Sequence, residues 1–136
     1  MGERDHAAWQ AAILAYFLNH RREWKIQVFP ELRIQVSPTR FRVPDVTVLD
    51  QDSPVEQIVT TPPIAVFEIL SPEDTMSRIL VKLADYEQMG IGNIFVVDPP
   101  SGVQYVYAKG SLERIQGAIP AGRVTVDFTE ISKHLQ

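Results

Sequence analysis

In the opening segment DHAAWQAAILAYFLNHRREW, apolar residues recur at Ala8, Ala12 and Ala15 and at Trp9, Ile13, Tyr16 and Phe17. That spacing predicts an amphipathic helix with a wide buried face, and Asp5 stands where its N-cap is expected. The period then shortens. Trp24 to Val28 and Leu32 to Val36 read as strands interrupted at Phe29-Pro30, and Phe41 to Leu49 as another, broken by Pro44. Asp50 to Pro63 is rich in Asp, Ser, Thr and Pro and reads as a long connection, with at most a short turn around Pro54 to Ile58. After it comes IAVFEIL, residues 64–70, an apolar run bounded by Pro62-Pro63 and Ser71-Pro72. Such a run predicts a strand covered on both faces.

Ser71-Pro72-Glu73-Asp74 carries the marks of a helix start: a Ser N-cap, Pro at the first helical position and an acid three residues after the cap. The helix is predicted to run to about Met89, with Gly90 as its stop. Asn93 to Val97 and Val103 to Tyr107 read as strands joined by the turn Asp98-Pro99-Pro100-Ser101-Gly102. Short pieces at Leu112 to Ile115 and Val124 to Val126 follow, then a helical turn from Thr129. This order predicts an α/β fold, a mixed sheet flanked by helices, in one domain spanning residues 1–136.

Composition narrows the chemistry. The chain contains no cysteine, which excludes thiolate metal sites, disulfides and cysteine nucleophiles. The run AAILAYFL is far too short to span a bilayer and no cationic leader precedes it, so a soluble cytoplasmic protein is expected. The net charge of −4 speaks against coating nucleic acid by bulk attraction. Lys and Arg exceed acids over residues 1–45, with the acidic excess in the remainder, and a scattered solvated surface is the expected outcome.

Three ionisable residues occupy places where an apolar one is expected: Asp45 after Pro44, Glu68 inside IAVFEIL and Lys82 inside RILVKLADY. On strand alternation Glu68 shares its side with Ile64, Val66 and Leu70. A carboxylate buried there needs a partner, a metal or a shifted pKa. Two carboxylates on neighbouring strands can bind a hard divalent cation with carbonyls and water completing the shell, and a nearby ammonium stabilises developing negative charge. Arg78, Lys82 and Tyr86 fall four residues apart on one helical stripe, with Ile79, Leu80, Leu83 and Ala84 expected to bury beside it. The helix start is expected close to the end of the Glu68 strand, a favourable place for an anion.

Pro44-Asp45, then Phe67-Glu68-Ile69-Leu70-Ser71-Pro72, then Lys82 with Tyr86 and Gly90, and finally Val96-Val97-Asp98-Pro99 form an ordered set. In these residues the chain resembles the PD-(D/E)xK nuclease superfamily and, within it, the Uma-type (DUF820-like) restriction endonuclease family. The resemblance implies a restriction-endonuclease-like fold and a Mg2+- or Mn2+-dependent endonuclease hydrolysing DNA phosphodiesters. It implies Asp45 and Glu68 as metal ligands, the Ile69 carbonyl as a third, and Lys82 as the catalytic cation. The superfamily's strand lysine falls at Leu70 here, and Lys82 on the following helix takes its place. Arg78 departs from the family, whose members often carry an acid there, and the longer N-terminal segment of many relatives has no counterpart.

Two other readings accompany this one. A catalytically silent member would keep the nuclease fold as a nucleic-acid-binding or interaction module, with Asp45, Glu68 and Lys82 forming a buried charge network. A homodimer would use the region of Tyr105 and Tyr107 as its interface. Asp98-Pro99 is read as a turn device, Asp74 as a cap and Asp85 as a solvated residue. His6, His20 and His134 are too scattered to suggest a site, and Trp24, Phe29 and Phe41 are read as packing residues. No Gly-rich phosphate loop or nucleophile elbow is present.

Overall fold

A computed structural model describes residues 2–135. A long helix, α1 (Gly2–Trp24), leads into β1 (Ile26–Pro30), then the hairpin strands β2 (Ile34–Ser37) and β3 (Arg40–Arg42), then β4 (Val46–Asp50) and β5 (Ala65–Ile69). Next come α2 (Met76–Met89), β6 (Ile94–Asp98), β7 (Val103–Ala108) and β8 (Ser111–Arg114). The chain closes with the pair β9 (Ile119–Ala121) and β10 (Val124–Val126) and the short α3 (Phe128–Ser132). Six strands form one mixed sheet in the order β1-β4-β5-β6-β7-β8. β5 and β6 are parallel, joined through α2, and every other neighbouring pair is antiparallel.

Two apolar layers enclose this sheet. On one face Trp9, Ile13 and Phe17 of α1 meet Phe67, Phe95 and Phe128, whose rings sit 5.0 to 6.5 Å from their neighbours. On the other, Ile79, Leu83 and Tyr86 of α2 pack with Ile34 of β2 against Val66, Ile94 and Val96. All five residues of β5 are buried, which is why its sequence reads as a continuous apolar run. Alternation aims Val66 and Glu68 at α2 and Phe67 and Ile69 at α1. Burial of this apolar surface, at about 25 cal/mol per Å2, is the main term holding the layers together.

Several boundaries differ from the sequence pattern for identifiable reasons. Asp5 lies inside the first turn of α1, because the helix already begins at Gly2. The Asp74 carboxylate accepts from Ser71 N–H at 2.7 Å, and Asp74 N–H returns to the Ser71 carbonyl, closing a tight turn. Helix α2 therefore starts at Met76 with Thr75 as its cap, and its end is set back from the end of β5. Asp74 serves that turn instead of capping the helix. Leu80 and Ala84 are exposed, leaving Ile79, Leu83 and Tyr86 to form the buried stripe. Gly90 ends α2 as predicted: at φ 102° it turns the chain so that Ile91 N–H reaches the Tyr86 carbonyl. Pro44 separates β3 from β4, which belong to different sheets. Strand β9 had no signal, being three residues long with Pro120 at its centre. Tyr107 is buried in the layer beneath α2, so the homodimer surface expected there loses one of its two tyrosines.

Candidate active site

Asp45 stands immediately before β4, and Glu68 lies near the end of β5. The two strands are antiparallel with Val46 opposite Phe67, so both acids reach the same end of the sheet. Asp45 is held from three directions. Its Oδ2 accepts from Ile69 N–H at 2.7 Å, its Oδ1 lies 3.1 Å from His6 Nε2, and its backbone carbonyl accepts from Gln10 Nε2 at 2.9 Å. His6 and Gln10 are one turn apart on α1, so the helix grips the residue at two points.

Glu68 is 3% exposed and faces α2. Tyr86 and Lys82, four residues apart on that helix, descend on its two oxygens: Tyr86 Oη donates to Oε2 at 2.5 Å and Lys82 Nζ to Oε1 at 3.3 Å. Burial, and then the negative charge of Asp45, push the Glu68 carboxyl up to about 7, against the pull of Lys82 and the Tyr86 hydroxyl. Burial likewise raises Asp45, opposed by the Ile69 amide, His6 and Lys82. Tyr86 is driven well above the ordinary phenol range by burial and by the Glu68 charge, so it remains a hydrogen-bond donor. One ammonium thus faces two mutually repelling carboxylates.

The three residues singled out in the sequence are brought together, and Ile69 joins them through its amide. Two others belong to the arrangement without having been anticipated. His6 lies far from Asp45 in sequence, and no local spacing announces that α1 will place it there. Asp85 is buried rather than solvated: Arg40 Nη1 lies 3.2 Å from both of its oxygens, and Arg42 reaches Oδ2 through Nη2 at 2.7 Å and Nε at 2.9 Å. The alternation Arg40-Phe41-Arg42 held that signal, because two cations on one side of a strand call for an anion opposite. Asp98 closes the β6–β7 turn as expected, accepting from Ser101 Oγ at 2.7 Å. Among the described residues, no three His, Asp or Glu side chains cluster tightly enough to hold a metal by themselves. No helix among them is long and apolar enough to cross a membrane.

The sequence profile of the Uma2 family, described as "Putative restriction endonuclease", matches residues 1–127. The chain belongs to the Uma2 family. The crystal structure of a "putative nuclease belonging to DUF820" from Anabaena variabilis ATCC 29413 superposes with a TM-score of 0.80 at 18% identity, covering 97% of this chain and 82% of that one. The cryo-electron-microscopy structure of a DrdV–DNA complex superposes with a TM-score of 0.51 at 20% identity, covering 77% of this chain but 9% of the DrdV chain. At these identities the likeness concerns the fold, and this chain corresponds to a small part of DrdV. No curated protein matches the sequence. The Uma2 assignment and the Anabaena structure agree with the nuclease-like mixed sheet described above.

Proposed function

We propose that the protein is a metal-dependent endonuclease that hydrolyses phosphodiester bonds in DNA, with Asp45, Glu68 and Lys82 at its catalytic centre. One observation carries the reading: two repelling carboxylates share one end of the sheet with a single ammonium, that of Lys82, beside Glu68. Membership of Uma2 supports the nuclease class, and the DNA in the DrdV complex supports the choice of polymer.

The donor set fits a hard divalent cation, because it offers carboxylate oxygens with uncompensated charge and no sulfur or imidazole cluster. Mg2+ or Mn2+ would be held by Asp45, Glu68 and the Ile69 carbonyl, with water completing the shell. When bound, such an ion supplies Lewis-acid activation of the phosphodiester and acidifies water. The chain's own residues do the rest. The Ile69 amide and His6 hold Asp45 in one orientation, and Tyr86 fixes Glu68 through Oε2. Lys82, at a long 3.3 Å from Oε1 and partly exposed, is free to turn its ammonium towards the attacked phosphate and offset the charge that develops there.

The test is a calorimetric titration of Mn2+ into the wild type, with Asp45→Asn and Glu68→Gln alongside. The expected result is binding that disappears in both variants, followed by DNA cleavage that depends on the ion. A folded wild type without affinity for Mn2+ or Mg2+, alone or with DNA, overturns the reading. The silent-module alternative keeps one observation in its favour, since Lys82 and Tyr86 already occupy both Glu68 oxygens. It requires the same titration to stay flat.

A further inference from the structure

Asp85 carries one negative charge and is engaged by two guanidinium groups. A single arginine would neutralise it, so the second leaves the cluster positive. Each guanidinium carries five N–H donors, and Asp85 engages only Nη1 of Arg40 and Nε and Nη2 of Arg42. The unspent donors belong to side chains that the buried carboxylate holds in place, which lowers the entropy lost when they bind a ligand.

Arg42 opens onto a groove of about 400 Å3 running along the first turns of α2, lined as well by Ser77, Arg78 and Lys82 and by one acid, Asp74, whose carboxylate is already engaged by Ser71. Arg78 is exposed and makes no ion pair among the described residues. The acids beneath these cations, Asp85 and Glu68, are buried and turned inward. Lys82 connects the groove to Glu68, so the cationic row ends at the proposed catalytic centre. A second cleft, of about 530 Å3, lies on the other side of Ile79. Its walls include Leu70, Pro72, Val96 and Tyr105, and Asp5, Asp74 and Asp98 stand around it. Asp74 borders both, but the cleft sets three acids and no Lys or Arg around it whereas the groove sets three cations against that one acid, so phosphates are attracted to the Arg42 side.

We infer that the groove of Arg42, Ser77, Arg78 and Lys82 is the track for the phosphodiester backbone of the substrate, and that Asp85 is a positioning residue which aims Arg42 into it. The inference rests on the nucleic-acid reading above and adds where the strand lies. Arg42 and Arg78 contact successive backbone phosphates as it leads to Lys82.

The experiment measures binding of a fluorescent duplex of about 20 base pairs in EDTA, between roughly 50 and 200 mM salt. Arg42→Ala and Arg78→Ala are each expected to lower the slope of log affinity against log salt by about one. Lys133→Ala, at the C-terminal cap of α3, is expected to leave it unchanged. Asp85→Asn separates positioning from bulk charge. It makes the protein more positive, so general attraction predicts tighter binding, whereas loss of positioning predicts binding weaker by about 5-fold. Should Asp85→Asn fail to fold, Arg78→Ala, at an exposed site, still decides the track. Slopes that ignore Arg42 and Arg78, an equal effect from Lys133→Ala, or no duplex binding at any salt overturn the inference. Tighter binding by Asp85→Asn overturns the positioning role. Because EDTA removes any ion, groove-dependent binding by a protein that never takes up Mn2+ would sink the metal-dependent nuclease reading and leave the track standing. Ion-dependent cleavage with indifferent slopes would do the reverse.

Discussion

Two buried acids, Glu68 below α2 and Asp85 on it, are compensated in opposite ways. Glu68 has a neutral hydroxyl, one ammonium at 3.3 Å and a second carboxylate nearby, and its pKa is pushed up to about 7. Asp85 has two guanidinium groups within 3.2 Å. The first cluster lacks positive charge and the second exceeds what it needs. A surplus of negative charge in a buried place is relieved by a proton or by a bound cation. A surplus of positive charge at a surface edge is a holder for anions. The comparison teaches that burial alone does not mark a functional carboxylate, since the partners decide what the surroundings can still accept.

The largest expected effect breaks the first cluster. If Lys82 offsets charge on the phosphate, Lys82→Ala folds, retains Mn2+ affinity and loses turnover by at least about 100-fold. Thermal unfolding, metal titration and single-turnover cleavage distinguish this from the charge-network reading, in which the same change leaves two buried carboxylates uncompensated and destabilises the fold severely.

A comparable effect lies in pH. The ordinary Glu carboxyl titrates near 4.5, and folding raises Glu68 to about 7. Between these values the folded chain binds more protons than the unfolded one, so stability is fully present below about pH 4.5 and is lost as pH rises towards 7. The loss is on the order of 3 kcal/mol. Asp45, also raised, adds to it with the same sign. Denaturant melts of the metal-free protein at about pH 5 and about pH 8 should differ accordingly, and Glu68→Gln should flatten the dependence. A wild type equally stable at both would mean that Glu68 is better compensated than its burial implies. By the same proton balance, Mn2+ affinity should weaken as pH falls below 7.

The smallest effect concerns the second cluster. Asp85→Ala removes ion pairs whose arginines are partly exposed, 55% for Arg40 and 26% for Arg42, so solvent already screens part of the interaction. A loss of about 1 to 2 kcal/mol is expected, measured by urea melts. A loss above about 4 kcal/mol would show the pair acting as a core element of the fold.

How much of this the sequence reveals depends on whether a signal is local. The β5 run, the β6–β7 hairpin and the Gly90 stop are written in adjacent residues, and they appear within one or two residues of where the pattern puts them. The start of α2 lies later than the pattern predicts, because Ser71-Pro72 is a strong start signal that Asp74 diverts into a turn. At the site, Asp45, Glu68 and Lys82 betray themselves by standing where apolar residues belong. His6 and Asp85 do not, because their meaning depends on partners brought near only by the packing of α1 and of the β2–β3 hairpin.

The bond from the Ile69 amide to Asp45 has one more implication. Asp45 is tied to the residue directly after Glu68, on the strand that carries it, through a main-chain donor that any residue except proline would supply at that position. Strand register thus contributes to the spacing of the two acids alongside the side chains of His6, Lys82 and Tyr86 that hold them. A change of side chain at Ile69 therefore leaves this tie between the two acid-bearing segments in place.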